Sequence, residues 1–309
     1  MTAATWPAWI PSQEITPPQW PVACLGPGRV GSALSRALAG LGFPIVAVGG
    51  GSAAAADRLA RELETEVVVE PYSGLGERAR LVLVTTPDRS LTDVARGLAR
   101  SADMKQGACL VQTSATEPAE ILRPAAGGRD GVLCLSFHPL KPFPDRERGL
   151  PYFKEIIIGI EGDGDARLLG HSLARLLHGY PLDVLTRDKA VYHAVGVMAF
   201  TGVMALAWAA EQVARGLELD QTFMDRGILP SMSAAAEAVE TLGLPEGLTG
   251  PISRGDAEVV SRHMMMLSER FPELVPIYRE VALLNLRMVE EGGGLGEEAV
   301  ERLRQALNT

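Results

Sequence analysis

The sequence has few cysteines, few aromatic residues and no excess of basic residues. Its 309 residues include 3 Cys, and 5% of them are Phe, Trp or Tyr. Lys and Arg total 29 against 38 Asp and Glu, which leaves a formal net charge of −9 at pH 7. An acidic chain without a basic block lacks the positive surface that electrostatic binding of nucleic acid or anionic lipid requires. We therefore expect no nucleic-acid partner and no membrane partner.

The cysteines do not suggest a disulfide framework or a zinc site. Cys24, Cys109 and Cys134 are an odd number at wide, unrelated spacings, and each lies in an apolar run. This context favours buried, reduced thiols. No His, Cys and carboxylate spacing in the sequence is typical of a metal site. With 47% hydrophobic and 22% charged residues, we expect a cytoplasmic protein of about two globular domains without a metal.

The first twenty residues combine tryptophan with proline. Three of the four tryptophans, Trp6, Trp9 and Trp20, lie there among spaced prolines. Spaced prolines exclude a regular helix. We expect an extended arm over residues 1–20 that lies on its own domain or contacts a partner subunit.

Residues 21–187 alternate short apolar runs with helical patterns, which is typical of βαβ units in a doubly wound parallel sheet. Strands are predicted at 21–25, 44–48, 67–69, 80–85, 108–112, 132–137, 155–160 and 182–185. From Lys189 onward the strand signals stop, and only helices are predicted. The sequence therefore predicts an α/β domain over 21–187 and an all-helical domain over 188–309.

A glycine-rich loop follows the first predicted strand. The segment Gly26-Pro27-Gly28-Arg29-Val30-Gly31 has the G-x-G-x-x-G spacing and precedes a predicted helix. Glycines at these positions permit a tight turn and close approach of a pyrophosphate to the helix N-terminus. We predict that all six residues contact a dinucleotide in a Rossmann-like domain. The alternative is a sharp strand–helix turn without a ligand.

The end of the second predicted strand bears on the choice of cofactor. NAD-binding domains hold the adenosine ribose with an Asp or Glu at this position. Here residues 49–52 read Gly-Gly-Gly-Ser, without a carboxylate. Ser52, Arg29 and Arg58 could instead contact a 2′-phosphate, which favours NADP over NAD. Further cofactor contacts are predicted after the fourth and fifth strands, at Thr86, Pro87 and Thr113.

A long apolar segment lies at the start of the helical domain. Residues 190–210 contain no formal charge and just reach the length of a bilayer span. Tyr192 and His193 lie near its start, and no cluster of Lys and Arg flanks one side. A helix that is apolar on all sides is also typical of the centre of a large helical domain. We therefore predict a buried helix and not a membrane span.

Several motifs together resemble a bacterial family in which a Rossmann-like domain is joined to domain of unknown function 2520. They are GPGRVG, TTPD, QTSAT, SFHPLKPF, DKAVYHA and LTGPISRGD, and the resemblance runs from about Val22 to Tyr278. The family is similar to the 6-phosphogluconate-dehydrogenase-like reductases, which include ketopantoate, pyrroline-carboxylate and hydroxyisobutyrate enzymes. The resemblance implies NADP binding, reductase activity and a homodimer formed through the helical domain. The sequence departs from the family at Gln112, where His is usual, and at Phe200, where Asn is frequent.

In the related reductases a lysine at the start of the first long C-terminal helix serves the reacting oxygen, and Lys189 resembles it in position. Tyr192 and His193 share its helical face. Hydride arrival at a carbonyl carbon leaves negative charge on oxygen, which a cation or a neutral acid can stabilise and protonate. We predict Lys189, His193 and His138 as catalytic residues. The alternatives are a solvated lysine and histidines that are hydrogen-bonded within the fold.

Substrate contacts are predicted at Ser114, Lys141, Tyr192, Arg254 and Asp256. Arg254 is suited to bidentate binding of a carboxylate, although an Arg254–Asp256 pair could equally stabilise a tight turn. The function that these residues favour is NADP-dependent reduction of a small carbonyl or imine compound, such as a ketoacid. The alternative is an NADP-binding sensor without hydride chemistry, which the departures at Gln112 and Phe200 would suit.

Overall fold

The computed structural model describes residues 15–69, 72–101, 104–127 and 131–308. The chain divides into two compact units, Met1–Phe200 and Thr201–Thr309. This division falls after the predicted boundary at 187/188, so the start of the long apolar helix belongs to the first unit.

The first unit contains an eight-stranded sheet with the strand order β3-β2-β1-β4-β5-β6-β7-β8. The strands are β1 Val22–Leu25, β2 Ile45–Gly49, β3 Val67–Val68, β4 Leu81–Val84, β5 Cys109–Gln112, β6 Leu133–Pro139, β7 Ile157–Gly162 and β8 Tyr180–Asp183. The strands β1 to β6 are parallel, which confirms the doubly wound α/β fold.

One strand of the predicted parallel sheet has the opposite direction: β7 runs antiparallel to β6, while β8 is parallel to β7. A parallel pair requires a crossover, usually through a helix. The connection from β6 to β7 contains only a four-residue 3-10 helix, Leu150–Phe153. The chain therefore returns along the sheet, and His138 of β6 lies opposite Gly159 of β7.

Helices cover both faces of the sheet. They are α1 Arg29–Gly40, α2 Ala53–Glu62, α3 Leu75–Arg78, α4 Asp88–Ser101 and α5 Gly164–Leu176, together with a 3-10 helix over Ala119–Ala126. Side chains of β4 alternate between the faces: Leu81 and Leu83 pack in the core on the α1 and α5 side, and Val82 and Val84 in the core on the α4 side. All three cysteines are buried and free.

Residues 15–20 pack against the sheet domain. Ile15 and Trp20 are buried in its core, and the Arg80 guanidinium lies 4.0 Å from the centroid of the Trp20 ring. Pro17–Gln19 forms a 3-10 turn, so this part of the predicted arm is not extended. Trp6 and Trp9 lie outside the described residues.

The long apolar helix begins with α6, Lys189–Val197, after a 3-10 turn at Thr186–Asp188. It passes through a π-helical turn, Met198–Gly202, into α7, Val203–Gly216. Only 6% of its most apolar window is buried, and Val191, Met198 and Trp208 are 71%, 71% and 57% exposed. The prediction of a buried helix is therefore wrong for the single chain. Its length and composition would also suffice for a membrane span, which alone is weak evidence.

The second unit is helical, as predicted. After α7 it comprises α8 Gln221–Phe223, a π-helical turn Met224–Ile228, α9 Leu229–Leu242, α10 Ala257–Arg270, a 3-10 turn Pro272–Leu274, α11 Val275–Glu291 and α12 Glu297–Leu307. Its core is formed mainly by α10, α11 and α12, with Val260, Leu286 and Leu303 almost fully buried.

Candidate active site

The glycine-rich loop has the geometry of a dinucleotide cradle. Gly26 has φ +104°, and a Cβ atom there would lie 2.7 Å from the backbone of Thr85 and Thr86. A Cβ atom on Gly31 would overlap the Gly26 carbonyl and the Thr85 hydroxyl, whereas the space beside Gly28 is open to 3.9 Å. No described side chain caps α1 at Gly28. The unpaired N–H groups of its first turn are thus left for an anion.

Thr85 and Thr86 support this loop from the end of β4. Thr85 Oγ1 donates a hydrogen bond to the Gly26 carbonyl at 2.7 Å. Thr86 Oγ1 is buried and has no hydrogen-bond partner among the described residues. A buried hydroxyl without a partner is costly, which indicates a polar ligand group at this point. Thr86 was predicted from the sequence; Thr85, in the same TTPD turn, was not.

The end of β2 lies beside the glycine-rich loop. Gly26 N donates to the Gly49 carbonyl at 2.8 Å, and a Cβ atom on Gly51 would lie 3.7 Å from the Pro27 side chain. Ser52 is exposed and caps α2 by accepting a hydrogen bond from Ala55 N. This turn offers backbone groups and a hydroxyl without a negative charge. Together with the open space at Gly28, it fits a phosphorylated dinucleotide.

Lys189 is almost fully buried, at 3% exposed. Its Nζ donates to Ser136 Oγ at 2.5 Å and to the Ser114 carbonyl at 3.5 Å, and lies 3.8 Å from Glu161 Oε2. Burial lowers the pKa of Lys189, and the Glu161 carboxylate opposes that shift. The ammonium is therefore enclosed by groups from the loop after β5 and from strands β6 and β7.

Glu161 is a site residue that the sequence analysis missed. Its Oε2 accepts a hydrogen bond from Ala119 N at 2.7 Å, and its Oε1 accepts one from Thr186 Oγ1 at 3.2 Å. The carboxylate thus ties the 119–126 helix and the turn before α6 around Lys189. The available signal was a lone carboxylate that directly follows the apolar run of β7.

Gln112 organises the loop that presents Ser114 to Lys189. Gln112 Oε1 accepts from Ser114 N at 2.5 Å, and Nε2 donates to the Glu117 carbonyl at 2.7 Å. Ser114 Oγ in turn accepts from Thr116 N and Glu117 N. Gln112 therefore holds the loop over residues 113–117 in place with its own side-chain hydrogen bonds.

His138, Tyr192 and His193 form a cluster of three rings. The His138 ring lies edge-on to both others, with centroids 5.7 Å from Tyr192 and 5.9 Å from His193. Burial, with the charges of His193 and Lys189, lowers the pKa of His138 to about 4. Burial raises the pKa of Tyr192 to about 12. Over the described atoms, His138 Nδ1 and the Tyr192 hydroxyl are buried without a hydrogen bond of normal geometry.

The remaining predicted residues have other surroundings. The Lys141 ammonium lies 4.2 Å from the centroid of the Tyr152 ring. Asp256 caps α10 by accepting from Val259 N at 3.2 Å, and Arg254 in the same unit is exposed. The predicted residues that the structure brings together are Ser114, His138, Lys189, Tyr192 and His193. Across the described residues, no group of three or more His, Cys, Asp or Glu side chains could hold a metal ion.

Two family models match the chain in succession. A Rossmann-like domain matches residues 8–139, and the domain of unknown function DUF2520 matches residues 156–284. The chain therefore contains a Rossmann-like domain followed by a DUF2520 domain. The resemblance of the motifs is thereby confirmed. Comparison of this DUF2520 protein with curated protein sequences gives no match.

Solved structures share the fold of this DUF2520 protein. A candidate NADP oxidoreductase from Bacteroides fragilis is 23% identical with a TM-score of 0.68, over 87% of this chain and 98% of its own. Protein TM1727 from Thermotoga maritima is 24% identical with a TM-score of 0.67, over 88% and 99%. An imine reductase from Myxococcus stipitatus, solved with NADP+, is 16% identical with a TM-score of 0.56, over 92% and 99%. Similarity at these identities supports the fold class.

Proposed function

We propose that this protein is an NADP-dependent oxidoreductase that transfers a hydride from NADPH to a small carbonyl or imine substrate. The observation that carries the proposal is a pair of buried, unpaired polar atoms, Thr86 Oγ1 and His138 Nδ1. They lie after β4 and near the end of β6, and ligands of open α/β sheets bind at the carboxyl ends of such strands. The glycine-rich loop follows β1 in the same sheet.

Residues 26–31 of the glycine-rich loop would hold the pyrophosphate through their backbone. Thr86, Pro87 and Thr113 would contact the rest of the same dinucleotide. When bound, NADPH supplies the hydride. The turn at residues 49–52 has no carboxylate to repel a 2′-phosphate, and Ser52 and Arg29 are exposed for contact with one. This supports NADP over NAD.

The cluster around Lys189 would serve the substrate. Lys189, His193 and His138 would stabilise the charge that develops on the reacting atom when hydride arrives, and a side chain of this cluster would supply the proton. A carboxylate on the substrate, as in a ketoacid such as ketopantoate, would find a cationic group in Lys141. The structural similarity to an imine reductase solved with NADP+ supports the reaction class.

The exposed apolar helix supports a homodimer. Val191, Met198 and Trp208 would otherwise present a large apolar surface to water. A second copy would cover the 186–216 helix, and light scattering should show one dimer-sized species. A monomer at micromolar concentration would contradict this assembly.

The second candidate function is an NADP-binding sensor without hydride chemistry. The burial of Lys189 among Ser136, Ser114 and Glu161 favours it, because a lysine used only to stabilise the fold would have such surroundings. Turnover of any ketoacid or imine with NADPH would exclude the sensor.

A side-by-side titration of NADPH and NADH, followed by nicotinamide fluorescence, tests the cofactor assignment. We expect NADPH to bind at least about tenfold more tightly, because the 2′-phosphate gains charge-assisted contacts. Binding of neither cofactor would reduce the glycine-rich loop to a structural turn and remove the proposed function.

A further inference from the structure

We propose that the Tyr192 hydroxyl, and not the Lys189 ammonium, delivers the proton to the reacting atom, and that Gly159 is the positioning residue that seats the Tyr192 ring. This inference rests on the proposed reductase function. It assigns separate roles to two residues that stand three positions apart on α6.

The Lys189 ammonium is directed at protein partners. Nζ donates hydrogen bonds to Ser136 Oγ at 2.5 Å and to the Ser114 carbonyl at 3.5 Å, and it forms an ion pair with Glu161 Oε2 at 3.8 Å. Ser136 itself is fully buried. Lys189 therefore acts as a positioning residue that joins the loop after β5 to β6 and β7.

Tyr192 has the opposite surroundings. Its hydroxyl is buried against the backbone of Gly159, and no described atom forms a hydrogen bond of normal geometry with it. A buried hydroxyl in this state gains most when a ligand atom pairs with it. The neighbouring His138 has a buried, unpaired Nδ1 of its own, so two adjacent side chains present unsatisfied polar atoms.

Gly159 makes the seat for the Tyr192 ring. A Cβ atom at position 159 would lie 2.8 Å from Tyr192 Oη and 2.9 Å from both Cε1 and Cζ. Real Cβ atoms do not approach other atoms this closely, so any larger residue would displace the phenol. Gly159 pairs with His138 across β6 and β7. The missing side chain thus places the phenol beside the imidazole.

The chemistry balances without a further reactant beyond the hydride donor. Hydride addition to the carbon of a C=O or C=N group moves the π-electron pair onto oxygen or nitrogen. The Tyr192 O–H bond breaks, its proton joins that atom, and its electron pair stays on the phenolate oxygen. Water then returns a proton to the phenolate. Because the pKa of Tyr192 is raised, the phenol is protonated before each turnover.

The position of the Tyr192 ring against Gly159 is tested by NMR. The protein's 5 tyrosines are labelled at the ring carbon that bears the hydroxyl, and their signals are followed as the pH is raised. The Tyr192 signal is assigned by its loss in Tyr192→Phe. We expect Gly159→Ala to move the Tyr192 titration down from about 12 towards the value of an exposed tyrosine. Gly164→Ala, where no described atom lies within 4 Å of the added Cβ, should leave it unchanged. An unchanged Tyr192 titration in Gly159→Ala would overturn the role of Gly159.

If Gly159→Ala folds poorly, a double-mutant cycle tests the same contact. Melting temperatures are compared for Gly159→Ala in the wild-type and the Tyr192→Ala backgrounds. The loss of melting temperature caused by Gly159→Ala should largely disappear in a Tyr192→Ala background, because the overlapping ring is gone. An equal loss in both backgrounds would show that Gly159 acts through other contacts.

The proton-donor role is tested by Tyr192→Phe with NADPH and a turned-over ketoacid or imine. We expect kcat to fall by about 10²- to 10⁴-fold, with NADPH affinity within about twofold of wild type. Tyr180→Phe, an exposed tyrosine at the sheet edge, is the control with unchanged kcat. Wild-type kcat in Tyr192→Phe would remove the proton-donor role alone. An inert wild-type protein would remove the proposed function and this role together.

Discussion

The imidazole of His138 and the phenol of Tyr192 meet edge to face, with ring centroids 5.7 Å apart and planes at 83°. One comes from β6 and the other from α6, so the contact joins the sheet to the start of the long helix. Both side chains are held neutral near pH 7, because burial lowers the pKa of His138 to about 4 and raises that of Tyr192 to about 12. The cation of this site is Lys189, which is enclosed by polar partners.

The glycine-rich loop predicts a sharp difference between two Gly→Ala changes in the same helix. Gly31→Ala places a methyl group against the Gly26 carbonyl and the Thr85 hydroxyl, and Gly40→Ala meets no described atom within 4 Å. We expect Gly31→Ala to abolish NADPH binding and to destabilise the domain by about 1–3 kcal/mol. Calorimetric titration and urea unfolding measure both effects. Tight NADPH binding by Gly31→Ala would contradict the cradle.

The turn after β2 predicts how cofactor preference can be changed. Ser52→Asp keeps a side chain that can cap α2 and adds a negative charge where we place the 2′-phosphate. NADPH affinity should fall at least about tenfold, while NADH affinity stays the same or improves. Ser52→Asn is the neutral control and should bind NADPH like wild type. Equal NADPH affinity in Ser52→Asp and Ser52→Asn would exclude a 2′-phosphate at this turn.

Glu161 should contribute to stability through Lys189. Glu161→Gln leaves the buried ammonium without its carboxylate partner, and we expect a loss of about 3 kcal/mol in the free energy of unfolding. Glu155→Gln removes an exposed carboxylate that lies just before β7 and pairs with Lys154, and it should change stability by less than about 0.5 kcal/mol. Urea unfolding of the two variants side by side gives the comparison. Similar stability for both would show that Glu161 does not hold Lys189.

His138 predicts a specific pH dependence of stability. Its pKa is lowered from 6.5 to about 4 in the folded protein, so between these values the unfolded chain binds more protons. The contribution of His138 to stability is therefore fully present above about pH 6.5 and is lost as pH falls towards 4. The loss amounts to at most about 3 kcal/mol.

The matched measurement compares wild type with His138→Gln by urea unfolding at several pH values. The variant should lose less stability than wild type on acidification over this window. Parallel stability curves for the two proteins would show that His138 is not held neutral by the fold.

Much of the fold could be predicted because each strand of the sheet carries its own apolar pattern. The direction of β7 could not, since alternation of side chains is the same in parallel and antiparallel strands. Glu161 was missed because its partners Ala119 and Thr186 are 42 and 25 residues away in sequence. The role of Gly159 had a local signal, since a glycine within an apolar strand often marks close approach by another group.

The apolar pattern of the 186–216 helix shows why burial was mispredicted. A helix that is apolar on all sides needs a covering surface, but the pattern does not say whether the same chain provides it. The exposed Val191 and Met198 show that the single chain leaves this surface open.

The most direct test of the central claim is hydride transfer itself. Purified protein would be incubated with a panel of 2-ketoacids and cyclic imines and with NADPH deuterated at the ring carbon that donates the hydride. We expect NADPH consumption with at least one substrate and one deuterium in the reduced product by mass spectrometry. NADPH that binds tightly but is never consumed, with no deuterated product from any member of the panel, would contradict the reductase and leave the sensor.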